Sequence, residues 1–127
     1  MNLAARTAGV AAAIAGAGAV VLGAFGAHAL RGTLDPRALA IWHTAVEYQF
    51  WHALALLVVA QMLRTQASTG ATIAALGFVV GMLLFCGSLY ALALGAPRVT
   101  GIATPFGGLA FIVGWIALGF AAWRNVT

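Results

Sequence analysis

Trp42, His43, Glu47, Tyr48, Gln49, Trp51 and His52 interrupt an otherwise apolar run, and these residue types could titrate, relay a proton or bind a polar group. His43 and Glu47 stand four residues apart, on one face of a helix, where they could satisfy each other or work as a pair. Glu47 is the one carboxylic side chain within any apolar stretch. It lies roughly 17 Å along a helix from Pro36, where a carboxylate is expected to be protonated, paired or turned toward protein. Trp42, Tyr48 and Trp51 also suit packing or an interfacial belt. His52 follows His43 by nine residues, about half a turn round the helix, so the two cannot ligate one ion from a single face. His28 matches neither in depth, which argues against a haem held by two histidines. HExxH and CxxC spacings are absent, Cys86 is the single cysteine, and neither Ser88 nor Cys86 sits in a nucleophile motif. The expectation is therefore no metal, no cofactor and no enzyme.

Around these residues, 64% of the 127 amino acids are hydrophobic and 6% charged, with 30 alanines and 16 glycines. Soluble domains carry roughly a quarter charged residues, so a water-soluble enzyme is excluded. Four apolar stretches, about 8–30, 36–63, 71–94 and 102–123, each reach the roughly 20 residues that a spanning helix needs. Barrel-type alternation is missing. These stretches predict an all-α membrane protein, residues 1–127 forming one domain of four transmembrane helices in two antiparallel hairpins. Asp35-Pro36 reads as an N-cap followed by proline at the first helical position, which sets the start of the second helix. Arg6 and Ala27-His28-Ala29 resemble parts of a secretory signal, but the apolar run exceeds the roughly 7 to 15 residues of such a segment, so an uncleaved helix is expected.

Helix association in lipid depends on close approach of small residues. The first stretch places Gly16 and Gly23 in a row of glycine and alanine at spacings of three and four. The third contributes Gly77 and Gly81, and the fourth Gly107, Gly108 and Gly114. These faces predict a bundle packed through small residues, with a spare face available for a membrane-protein partner or a second copy. Matching depths across short loops sets Glu47 level with Ala19 and Val20, and His43 level with Tyr90. A polar cluster of His28, His43, Glu47, Ser88 and Tyr90 is expected toward the first and third loops. Arg31 and Arg98 would lie above it, contacting headgroups or a partner.

The six basic residues are all arginine, placed one or two at a time between apolar stretches. They read as membrane flanks and not as a nucleic-acid face. Three fall on each side, and Asp35 offsets one on the loop side, which favours cytoplasmic termini. Arginine without lysine in an alanine-rich chain suggests a high-GC bacterial genome and hence an inner membrane.

Longer segments carry a resemblance. Residues 23–30 (GAFGAHAL), 42–57 (WHTAVEYQFWHALALL), 84–90 (LFCGSLY) and 104–109 (TPFGGL), with Gly114-Trp115 following, resemble the domain-of-unknown-function family 423. The resemblance covers nearly the whole chain and implies a four-helix inner-membrane protein, without assigning an activity. It directs attention to His28, Tyr48, His52, Ser88, Tyr90, Pro105 and Gly107-Gly108. With no soluble domain, the chain is expected to act on something within the bilayer. A non-enzymatic accessory or assembly subunit fits first. A small carrier or proton pathway through the His/Glu/Tyr residues, or a binder of lipid, quinone or haem, is the alternative.

Overall fold

The computed structural model describes residues 2–124; Met1 and residues 125–127 of the expected domain lie outside the described residues. Helix α1 (Leu3–His28) starts five residues before the expected position because Asn2 caps it, its side-chain oxygen accepting from Ala5 N at 3.1 Å. The same side chain donates to the Leu63 carbonyl and ties the start of α1 to the end of the second helix. Leu30, buried, closes the first turn by accepting from the backbone N–H groups of Thr33 and Leu34. Helix α2 (Pro36–Thr65) begins as expected, with Asp35 accepting from Ala38 N at 2.8 Å and Pro36 in the first turn. Ser68 caps α3 (Thr69–Gly81) through Ala71 N at 3.1 Å.

The third span then changes pitch. Met82–Cys86 form one π-helical turn before α4 (Gly87–Ala93) resumes, and nothing in the apolar pattern foretells it. A π turn takes an extra residue and shifts the facing of everything beyond it. Cys86, Ser88 and Ala93 are buried beyond or within that turn. Gly95, at φ 101°, supplies the left-handed residue that lets the chain leave α4. A 3₁₀ turn (Arg98–Ile102) leads into α5 (Ala103–Arg124). The spans Leu3–His28, Pro36–Thr65, Thr69–Ala93 and Arg98–Arg124 are each long and apolar enough to cross a bilayer, and no strand occurs among the described residues. The chain is a four-helix, all-α membrane protein.

Two hairpins build the bundle: α1 packs along α2, and α3 along α5. Helix α2 joins them by lying against α3, the π turn and α4. Phe78, Leu56, Leu63, Val59 and Cys86 are the largest fully buried side chains, and most of the remaining core is alanine. Such a core works by proximity. A Cβ on Gly77 would stand 2.8 Å from the Ala110 carbonyl oxygen and 2.9 Å from Gly114 Cα, so backbones meet there. Gly16 and Gly23 lie beside Ala53 and Val46 in looser contact. Close approach of this kind replaces the hydrophobic drive that lipid removes.

Candidate functional site

Polar groups inside the bundle form three hydrogen-bonded sets that share no residue, two of them centred on α2. In the first, His52, only 4% exposed, accepts at Nε2 from the Trp115 indole N–H at 3.1 Å. An indole nitrogen only donates, so His52 Nδ1 carries the proton and donates to the Tyr48 carbonyl at 2.6 Å. Both ring nitrogens are thereby committed in the neutral imidazole. The ring stacks on Phe111 with centroids 3.6 Å apart and an interplanar angle of 13°. In the second set, Gln49 donates to the Ala15 carbonyl at 2.9 Å and accepts from the Tyr90 hydroxyl at 2.7 Å, joining α1, α2 and α4. The third pairs the hydroxyls of Ser88 and Thr104, while Ser88 also donates to the Phe85 carbonyl.

Trp42 adds a fourth tie between helices, donating to the Leu22 carbonyl at 2.9 Å and packing edge-on against Tyr90 at 4.7 Å. Gly26 makes room for it, since a Cβ there would lie 2.6 Å from the indole. No fully buried side-chain nitrogen or oxygen is left unsatisfied among the described residues.

His43 and Glu47 stand elsewhere. Both are exposed on the outward side of α2, in a stripe continued by Phe50, Leu54 and Gln61. Glu47 is within a few residues of the middle of α2, and among the described residues neither side chain has an ion pair or hydrogen bond. His28, Arg31 and Arg98 are exposed near the loop ends. No group of three histidine, cysteine or acidic residues placed to hold a metal ion occurs among the described residues.

Comparison with known proteins agrees with a membrane protein. The family described as Protein of unknown function (DUF423) matches residues 22–108. The chain belongs to this family. Among DUF423 relatives, the UPF0382 membrane protein YwdK of Bacillus subtilis is 45% identical over 105 residues, covering 82% of this chain and 85% of its own. A UPF0382 membrane protein of Haemophilus influenzae is 40% identical over 113 residues, covering 89% and 90%. The UPF0382 inner membrane protein YgdD of Escherichia coli is 40% identical over 104 residues, covering 82% and 79%. No solved structure matches the chain.

The matched DUF423 segment takes in the five members of the expected cluster together with Tyr48 and His52, to which the resemblance points, and the fold separates them. Depth follows the hairpin arithmetic, with Trp42 meeting Leu22 and Gln49 meeting Ala15. Azimuth does not follow from it. Tyr48, His52, Ser88 and Tyr90 turn inward, whereas His28, His43 and Glu47 turn out, so the expected cluster is not brought together. The expected packing glycines divide as well: a Cβ on Gly81 would strike the Phe111 ring, one on Gly114 the Phe78 ring, and one on Gly107 the Phe85 backbone. Gly108 differs, because a Cβ there would lie 4.0 Å from Phe85, an ordinary contact.

Gln49, Trp42, Trp115 and Thr104 carry interior hydrogen bonds, although the expected cluster includes none of them. Gln49 has a legible signal, because an amide within a span must find partners in protein. Trp115 has none: no short loop connects α5 to α2, so no register links it to His52. In this DUF423 chain, Tyr90→Phe leaves Gln49 Oε1 without its donor. The expected cost is about 1 kcal/mol, in the range of interhelical hydrogen bonds in membranes, read as earlier unfolding in a detergent titration.

Proposed function

We propose that this protein is a non-enzymatic subunit or assembly partner within a membrane complex, docking another transmembrane helix on the outward face of α2. The observation that carries the reading is Glu47, an ionisable side chain near the middle of a spanning helix, facing away from its own bundle beside His43. Charged side chains at a helix centre cost roughly 2.5–3.5 kcal/mol on insertion scales, and such residues face protein or water as a rule. A partner helix offering a basic or hydrogen-bond-donating side chain at that depth removes the cost. The interior hydrogen bonds support the same reading, because His52, Gln49, Tyr90 and Ser88 are each consumed in a structural pair and the pairs share no residue that would link them into a relay. Both termini are assigned to the cytoplasm, the side the arginine and Asp35 balance favours.

A photoreactive amino acid placed at Leu54, exposed on the same stripe, tests this in native membranes. The expected result is one discrete adduct to another membrane protein, absent when the label replaces Leu83, exposed on the third span. Glu47→Gln should lower its yield about tenfold while the helical content is unchanged. No adduct, an adduct indifferent to Glu47, or an adduct with a second copy of this chain overturns the accessory-subunit reading.

A further inference from the structure

Between α2 and α5 the helices stand apart, leaving a cleft of about 540 Å³ lined by Tyr48, Trp51, His52, Phe85, Phe111 and Trp115, with Gly108 and Ile112 completing the wall. The volume is that of a small-molecule site. We propose that this cleft binds a para-quinone ring carried on an isoprenoid tail.

Three features select that chemistry. The first is shape: Trp51 and Trp115, each about half exposed at 50% and 48%, flank the opening, and the Tyr48 ring packs against Trp51 at 5.0 Å and Phe85 at 4.5 Å. Walls of aromatic faces accept a flat, electron-poor ring. The second is the polar handle. His52 has both nitrogens engaged, whereas the Tyr48 hydroxyl is accessible and has no hydrogen-bond partner among the described residues. A phenol next to lipid donates to an acceptor such as a quinone carbonyl. The third is Gly108, which no backbone contact requires. Its neighbour Gly107 is forced to be glycine by Phe85, but at Gly108 the missing side chain only keeps the cleft open.

Position argues against a phospholipid. Residues 48–52 and 108–115 straddle the middles of α2 and α5, beyond reach of a phospholipid headgroup, and an acyl chain alone leaves the Tyr48 hydroxyl unpaired. A para-quinone on an isoprenoid tail brings an acceptor to this depth and lies flat between the rings.

The test uses the full chain in nanodiscs of phosphatidylcholine and phosphatidylglycerol, with a photoreactive azidoquinone bearing a decyl tail. Label is expected on peptides containing residues 48–52 and 108–115, displaced by decylubiquinone and not by decylbenzene, which lacks the carbonyl. Tyr48→Phe should weaken binding about tenfold, as expected for one lost hydrogen bond. Gly108→Leu should abolish it, while Gly108→Ala retains it. Tyr48→Phe removes a single oxygen and carries the test alone if the bulkier replacement fails to fold. Labelling spread over all exposed helix faces, equal displacement by decylbenzene, or unchanged binding in Tyr48→Phe overturns the proposal. None of these outcomes bears on cross-linking from Leu54, so the two readings stand or fall separately.

Discussion

Gly107→Ala is expected to destabilise the bundle by about 3 kcal/mol, among the largest single-methyl effects this fold offers. The new Cβ would lie 2.7 Å from Phe85 Cα and closer still to the Phe85 nitrogen. Those are backbone atoms of the π turn and cannot rotate away as a side chain would. Relief requires α5 to move off the third span, which would loosen the contact of Gly77 with Ala110 and Gly114 along the same interface. Unfolding with increasing sodium dodecyl sulfate, followed by far-ultraviolet circular dichroism, measures the loss. Gly87→Ala and Gly119→Ala provide the contrast, since a Cβ at either position meets nothing within 4 Å. Both should be neutral or stabilising by up to about 1 kcal/mol, because alanine loses less backbone entropy in a helix. Equal destabilisation by all three substitutions would show that close approach at Phe85 is not what holds α5.

His52→Ala is expected to cost about 3 kcal/mol for a different reason. It removes the ring stacked on Phe111, opens a void beside Phe78, and strands the Trp115 indole N–H at the edge of lipid. Shape and polarity can be separated. His52→Phe keeps a ring against Phe111 but leaves Trp115 without an acceptor, whereas His52→Phe with Trp115→Phe removes both polar groups. The double variant should be more stable than His52→Phe alone, since an unpaired buried donor costs more than two apolar replacements. A double-mutant cycle on the same detergent titration isolates the coupling, expected at about 1 kcal/mol and no more than about 1.7 kcal/mol. A cycle showing no coupling would mean that His52 acts through packing alone.

These two effects arise at opposite ends of what the chain makes legible. Four spans, their hairpin order and the cap at Asp35 follow from the amino-acid sequence, because span length, charge spacing and capping are local properties. The depth of the α2 residues against α1 follows too, as the short first loop holds the two helices in register.

Facing is another matter. Glu47 and Gln49 differ by two positions, about 200° round a helix, and one ends outward in the membrane while the other bridges α1 to Tyr90. In lipid, an apolar stripe does not mark the core side, because both sides of the helix are apolar. The sides are chosen by which small residues let backbones meet, and by a π turn at Met82–Cys86 that alters the facing of Ser88 and Tyr90. The meeting of His52 with Trp115 depends on α2 and α5, which no short connection joins. Sequence by itself determined the class, the spans and the depth of α2 against α1, since each is set by residues near one another in the chain. Only the tertiary structure decided which polar groups are paired inside, which face the bilayer, and where a cleft remains, since each depends on helix rotation fixed by contacts between distant segments.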